Sequence, residues 1–246
     1  MENTTFKLHN RQRSTAVVFL SGALLMLVVT VLPFVDENPL SGLWAVAFVG
    51  IFLTLSFAAA AFIFFKRTQK ADKLIDGSEL LFRWKMTDEM LREFVNFQYE
   101  KNRAKNKAVI IVIGILFALI SIPFLFILEG EELVLFFLIF GGIFGLLFVS
   151  AFFFPLYYKR RNSAGDGLVL LGAQYAYING YFHNWDFPFS GINKVKPITE
   201  PFRGIQLVYR FADRTGPRTH ELNIPVPKAF DLKEIGAKLK GNKSDE

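Results

Sequence analysis

The chain has 246 residues, 52% of them hydrophobic, with 29 phenylalanines and a mean hydropathy of +0.33. That is too apolar for an ordinary soluble protein and places the chain in a membrane. Cysteine is absent, which removes disulfides, thiolate metal sites and cysteine nucleophiles together. The formal charge of +6 is unevenly placed: all 28 Lys and Arg fall before Ser14, between Lys66 and Lys107, or from Lys159 onward.

Four apolar runs organise the chain. Ser14 to Val35 is long enough, at about 1.5 Å per residue, to cross a hydrocarbon core of roughly 30 Å. It exceeds a signal-peptide core and no small-residue cleavage site follows it, so we read a retained first helix. Asp36-Glu37-Asn38-Pro39 makes a polar turn, and Leu43 to Phe65 returns as a second span with Gly50, Ser56 and Ala58 to Ala61 on a small-residue side. Ala108 to Leu128 is the third span, loosened near Pro123, and Leu133 to Tyr158 the fourth. Between them stands only Glu129 to Glu132, so the third and fourth spans are antiparallel neighbours. The connections Val35 to Gly42 and Glu129 to Glu132 carry acidic residues and no basic one, which by the positive-inside rule leaves both termini in the cytosol.

The expected organisation is residues 1–65 for the N-terminal segment and first two spans, 66–107 for a cytosolic strand-helix loop, 108–158 for spans three and four, and 159–246 for a cytosolic β domain. In the loop, Leu80, Phe82, Trp84 and Met86 alternate with Leu81, Arg83 and Lys85, the period-two pattern of a strand. Thr87 then caps a helix with Asp88 and Glu89 in its first turn and Met90, Leu91, Phe94 and Val95 at helical spacing; it can run straight into the third span. Tyr99 to Lys107 is strongly basic, as suits a helix passing anionic headgroups.

In the fourth span Gly141, Gly142 and Gly145 form a helix-packing motif; internal packing against the second or third helix is preferred over a dimer contact. Lys159, Arg160 and Arg161 mark the return to the membrane surface. Strand signals follow at Gly167 to Leu171, Tyr175 to Ile178, Tyr181 to Phe187, Ile192 to Lys196, Ile205 to Phe211 and Thr219 to Ile224, with Asn179-Gly180 as a tight hairpin turn. Asp231 and Glu234 resemble a capping box, Phe230 and Ile235 sit at staple positions, and Leu232, Ile235 and Leu239 make the apolar stripe of a closing helix ended by Gly241.

Antiparallel strands closed by one amphipathic helix resemble a pleckstrin-homology-like (PH-like) module over roughly the last third of the chain. The wider plan is two spans, the segment Leu80-Leu81-Phe82-Arg83-Trp84-Lys85-Met86-Thr87, two more spans and a β tail. It resembles bacterial multi-pass membrane proteins of the YcxB-like group. That resemblance implies an architecture only and brings no catalytic or ligand residue with it; the expected location is a bacterial inner membrane.

Candidate chemistry is sparse. No HExxH, P-loop, GxSxG or dinucleotide fingerprint occurs, and no cofactor or catalytic residue is expected. His183, Asp186 and His220 match no established zinc spacing, and ordinary strand-surface histidines are the preferred reading. The apolar runs contain no Asp, Glu, Lys, Arg or His, which argues against a pump or proton-coupled transporter. Lys194, Lys196, Arg214 and Arg218 are candidates for anionic lipid headgroups, although solubilising the sheet explains them as well. Nucleic-acid binding is not expected, since no stacking motif or recognition helix accompanies the charge. An exposed Phe82 and Trp84 would form a sticky edge, so this strand or the helix after it is expected to dock on the β domain. The expected function is a non-enzymatic membrane scaffold or sensor that presents its cytosolic module to lipid, a protein partner or another copy. The alternative is a small oligomeric channel or transporter gated by that module.

Overall fold

The computed structural model describes residues 10–186, 189–213 and 216–241. Four of its helices are long and apolar enough to cross a membrane: α1 (Arg11–Val31, continued by a short 3-10 turn, Leu32–Phe34), α2 (Trp44–Asp76), α3 (Asp88–Ile127) and α4 (Gly130–Ser163). This makes the chain a multi-pass membrane protein. Between α2 and α3 lies β1 (Leu80–Lys85). After α4 come β2 (Leu168–Gly172), β3 (Tyr175–Ile178), β4 (Tyr181–Asn184), β5 (Gly191–Ile198), β6 (Gly204–Asp213), β7 (Gly216–Pro225) and α5 (Leu232–Gly241).

The helices pack as two hairpins, α1 on α2 and α3 on α4. In the first, Gly50 lets α2 reach the backbone of α1: a Cβ there would stand 3.1 Å from Thr30 Cα. A Cβ at Gly22 would stand 3.1 Å from the Phe57 ring, and Phe19 stacks on Phe64 at 5.4 Å. In the second hairpin the contact is aromatic, with Phe117 on Phe144 at 5.0 Å and Phe124 on Phe136 at 4.5 Å. Pro155 has no N–H to give to the carbonyl of Ala151 one turn earlier. Asn106 of α3 donates to that carbonyl at 3.0 Å, so the defect in one helix becomes a polar tie to its neighbour.

Two of the helices continue well beyond their apolar runs. Thr87 caps α3, its Oγ accepting from Met90 N at 3.3 Å, and the helix runs unbroken for 40 residues. That is about 60 Å, twice the roughly 30 Å the hydrocarbon needs. The second helix does not end at Phe65 with its apolar run: α2 continues through the basic stretch to Asp76 and stops at Gly77, whose φ of 89° supplies the left-handed cap. Ala71, Leu74 and Ile75 give this extension an apolar side that packs against the sheet.

The strands form two antiparallel sheets, ordered β1-β2-β3-β4 and β5-β6-β7. β1 is the outer strand of the first, with Trp84 opposite Val169 and Lys85 opposite Leu168. The α3–α4 hairpin is therefore the connection between two paired strands. Both faces of the first sheet are covered. Val169, Leu171, Ala176 and Ile178 face the main core, shared with the second sheet, the start of α3 and α5. Leu168, Leu170, Tyr175 and Tyr177 face α2. This explains why β2 is apolar at every position instead of alternating.

Asn179 takes the expected hairpin turn, with φ of 49° followed by 92° at Gly180, and it also does something the turn does not require. Its buried side chain accepts from Gly167 N at 3.0 Å and donates to Asn162 O at 2.8 Å. The end of α4, the start of β2 and the hairpin are thus pinned at one residue. At the far end, Asp231 accepts from Lys233 N at 2.9 Å to start α5, and Glu234 pairs with Lys238.

Phe82 and Trp84 are 8% and 6% exposed, and both rings pack near Phe230. Trp84 Nε1 also donates to Pro225 O at 3.0 Å, joining β1 to the end of β7. Replacing Trp84 by Ala should cost about 3–5 kcal/mol through the cavity and the orphaned carbonyl. The measurable outcome is a lower melting temperature and faster proteolysis of the sheet region in detergent; wild-type behaviour would show that β1 does not hold the two sheets together.

Candidate functional site

The face of α3 that supplies Phe94 to the core continues toward the membrane as Gln98, Lys101, Asn102 and Lys105, at helical spacing. Opposite it stand Tyr158 and Asn162 of α4, one turn apart. Tyr181 and His183 project from one face of β4, and His220 and Asn223 come from β7. Together these elements line an open cavity of about 410 Å³ where the α3–α4 hairpin meets both sheets.

Its chemistry is basic. Lys101 pairs with Glu221 at 2.9 Å, and Asn223 donates to the same carboxylate oxygen at 3.0 Å; with Lys101 first, these bonds hold the Glu221 carboxyl down to about 2. Lys105 lines the cavity without an ion-pair partner among the described residues. Arg161 lies over the Tyr181 ring at 5.3 Å. His183 and His220 stack with centroids 5.9 Å apart. Burial, then the neighbouring His220 and Arg67, push His183 down to about 3. His220 is also lowered, first by burial and then by Lys105 and Lys101. Both imidazoles are therefore neutral near pH 7 and can each donate one hydrogen bond. The hydroxyl of Tyr181 is buried without a hydrogen-bond partner. Burial raises its pKa, so it stays a protonated donor.

A second cleft of about 340 Å³ adjoins the first on the membrane side, lined by Asn102, Asn106, Phe154, Pro155 and Tyr158. Asn102 and Tyr158 are walls of both. Phe154 and Pro155 belong to the apolar run of α4, so the second cleft begins inside the span and the first ends among polar groups.

The residues singled out from sequence fall in different places. Phe82 and Trp84 sit in the main core. At Gly141, Gly142 and Gly145 an added Cβ would meet no atom within 4 Å, so the close helix contacts in this chain are at Gly22 and Gly50 instead. Lys159 lies over the Tyr99 ring at 4.7 Å, tying α4 to α3; Arg160 is exposed at the end of α4, and Arg161 borders the cavity through Tyr181. Lys194 and Lys196 are exposed on β5, and Arg218 lies on β7 with β6 between them. Arg214 lies outside the described residues. Asp186 does not approach the histidine pair as a ligand would; it pairs with Lys70 of α2. The cavity itself was hidden in the sequence because its walls come from helices and strands more than a hundred residues apart. The one local signal is the spacing Gln98, Lys101, Asn102, Lys105, a polar continuation of the core-facing stripe of α3.

A histidine held neutral in the folded state and free to titrate near pH 6.5 when unfolded destabilises the fold as acid is added. The stability linked to His183 is fully present above about pH 6.5 and declines as pH falls toward its folded value of about 3. The melting temperature of the detergent-solubilised protein should therefore drop between about pH 7.5 and about pH 5, and His183→Gln should flatten that drop. An unchanged slope in the variant would place His183 in contact with solvent.

No protein-family model, curated protein or solved structure matches this chain.

Proposed function

We propose that the protein is a cytoplasmic-membrane scaffold or sensor with both termini in the cytosol, presenting a PH-like module to lipid or protein at the inner membrane surface. The observation that carries this reading is the insertion of α3 and α4 between the paired strands β1 and β2. A module built around a membrane hairpin is fixed in height and orientation at the bilayer, which suits reporting or assembling at that surface. Among the described residues, seven strands in sheets of four and three, with α5 packed on β5 and β6, support the PH-like comparison once β1 is counted as the first strand. Asn10 bonds to Thr68 O and Asp72 on the extension of α2, so the start of α1 lies at the sheet-bearing end. With the acidic outer turns and the basic sheet end, that supports a cytosolic location for both termini. The YcxB-like resemblance supports a bacterial membrane. The absence of ionisable residues from the apolar runs favours a contact role over transport.

Because the chain has no cysteine, single introduced cysteines report topology without background. Asp36→Cys should react with a membrane-impermeant maleimide on intact cells, and Lys228→Cys only after permeabilisation; the reverse pattern overturns the orientation. Proteoliposomes of the purified protein should be silent to small ions and solutes. Reproducible flux abolished by disrupting the β domain would replace the scaffold reading with the gated channel.

A further inference from the structure

We propose that the two adjoining clefts between α3, α4 and the sheets hold a single anionic phospholipid, its phosphate in the basic cavity and an acyl chain along Phe154 and Pro155. The proposal deepens the function above and rests on its reading that α3 and α4 span the bilayer.

Three independent features point the same way. The first is charge. Lys101 and Lys105 line the cavity with one carboxylate, Glu221, which Lys101 and Asn223 already engage, and Arg161 lies at its border over the Tyr181 ring. A negative ligand would find cationic partners there, whereas a choline headgroup would meet like charge. The second is unspent hydrogen-bonding capacity. The buried Tyr181 hydroxyl has no partner, and leaving such a donor unmade is costly unless something accepts from it. Neutral His220 and the side-chain amide of Asn102 line the same space, so a phosphate would meet donors from three elements.

The third feature separates a lipid from a soluble phosphate. The polar cavity adjoins a cleft lined by Phe154 and Pro155, within the apolar run of α4, and by Asn106, and the two share Asn102 and Tyr158 as walls. A site polar at one end and apolar at the other, crossing from the basic cuff of α3 into the span, matches an amphiphile lying in one leaflet. A free phosphate would occupy the first part and leave the second unused. The combined space falls within the roughly 300–1,000 Å³ usual for small-molecule sites.

The test uses the full-length protein, purified in detergent, stripped of lipid, and titrated with phosphatidylglycerol or phosphatidylcholine while bound lipid is counted by native mass spectrometry. Phosphatidylglycerol should be retained about tenfold better. Lys105→Glu and Tyr181→Phe should each reduce that retention about tenfold, consistent with loss of one charge-assisted contact. Tyr181→Phe should not lower the lipid-free melting temperature and should raise it slightly, because its buried hydroxyl makes no bond within the protein. Lys194→Glu, on exposed β5, should retain lipid as the wild type does. Equal retention of both lipids, or indifference to both cavity substitutions, overturns the proposal. If millimolar inorganic phosphate displaces phosphatidylglycerol and stabilises the protein equally well, the site is one for soluble phosphate and the lipid assignment falls. The cysteine-labelling pattern is read on the same preparations: normal topology with lost lipid selectivity confines the failure to this site, while inverted labelling removes the reading on which it rests.

Discussion

The antiparallel pairing of β1 with β2 sets the geometry of everything between and around them. Trp84 faces Val169, Lys85 faces Leu168, and the ladder ends where Met86 N donates to Gly167 O at 2.8 Å. Adjacent strands lie about 4.8 Å apart, whereas packed helices need about 8–10 Å. The chain must therefore spread from the strand spacing to the helix spacing within a few residues at each end of the α3–α4 hairpin. On the α3 side the turn is made by Thr87, which caps the helix directly after the strand. On the α4 side it is made by Ala164 to Gly167, held by the side chain of Asn179; a Cβ at Gly165 would collide with that side chain. The cavity lies in the space that this divergence opens between the helices and the sheets.

The other hairpin is joined to the same sheet by different chemistry. α2 reaches it through apolar packing of Ala71 and Leu74. Around that contact Arg67 donates to Phe182 O at 3.0 Å, and Lys70 bonds to the Asp186 carboxylate and backbone carbonyl. α1 is fastened in turn to α2 through Asn10 and Arg13 on Asp72. The first sheet thus has one face on the main core and the other on a membrane helix, so neither hairpin can move against it without exposing apolar surface worth about 25 cal/mol per Å². Both hairpins report to the sheets, and the sheets are the element common to them.

Much of this was legible from local pattern. The alternation at Leu80 to Met86, the cap at Thr87, the Asn179-Gly180 turn and the stripe of the last helix each depend on neighbours a few residues away, and each strand or helix formed where its pattern indicated. What could not be read required knowledge of a distant partner. Lys66, Arg67, Lys70 and Lys73 made the end of α2 look like loop, because membrane-surface charge obscured the apolar positions Ala71, Leu74 and Ile75 between them. Gly141, Gly142 and Gly145 carried a packing motif, yet a glycine permits close approach without requiring it; the required ones, Gly22 and Gly50, are isolated. Tyr177 also shows the limit: it reads as a strand aromatic, and only the fold brings its hydroxyl to Asp166 beside the α4 terminus.

The position of the cavity has an energetic consequence. Its walls belong to α3, α4, β3, β4 and β7, so no single element contains the site and every lining group depends on the joint being closed. A ligand that contacts several walls binds the closed joint better than any loosened form, and stabilises it in proportion to the logarithm of its concentration over its dissociation constant. The buried Tyr181 hydroxyl, the neutral histidine pair and Lys105 are groups whose bonding capacity the surrounding side chains leave partly unused. A ligand that used it would therefore act on the same contacts that fix the module to the bilayer. Occupancy and the rigidity of the joint are linked by geometry, because the residues that would meet a ligand are carried on the helices and strands that form the joint itself.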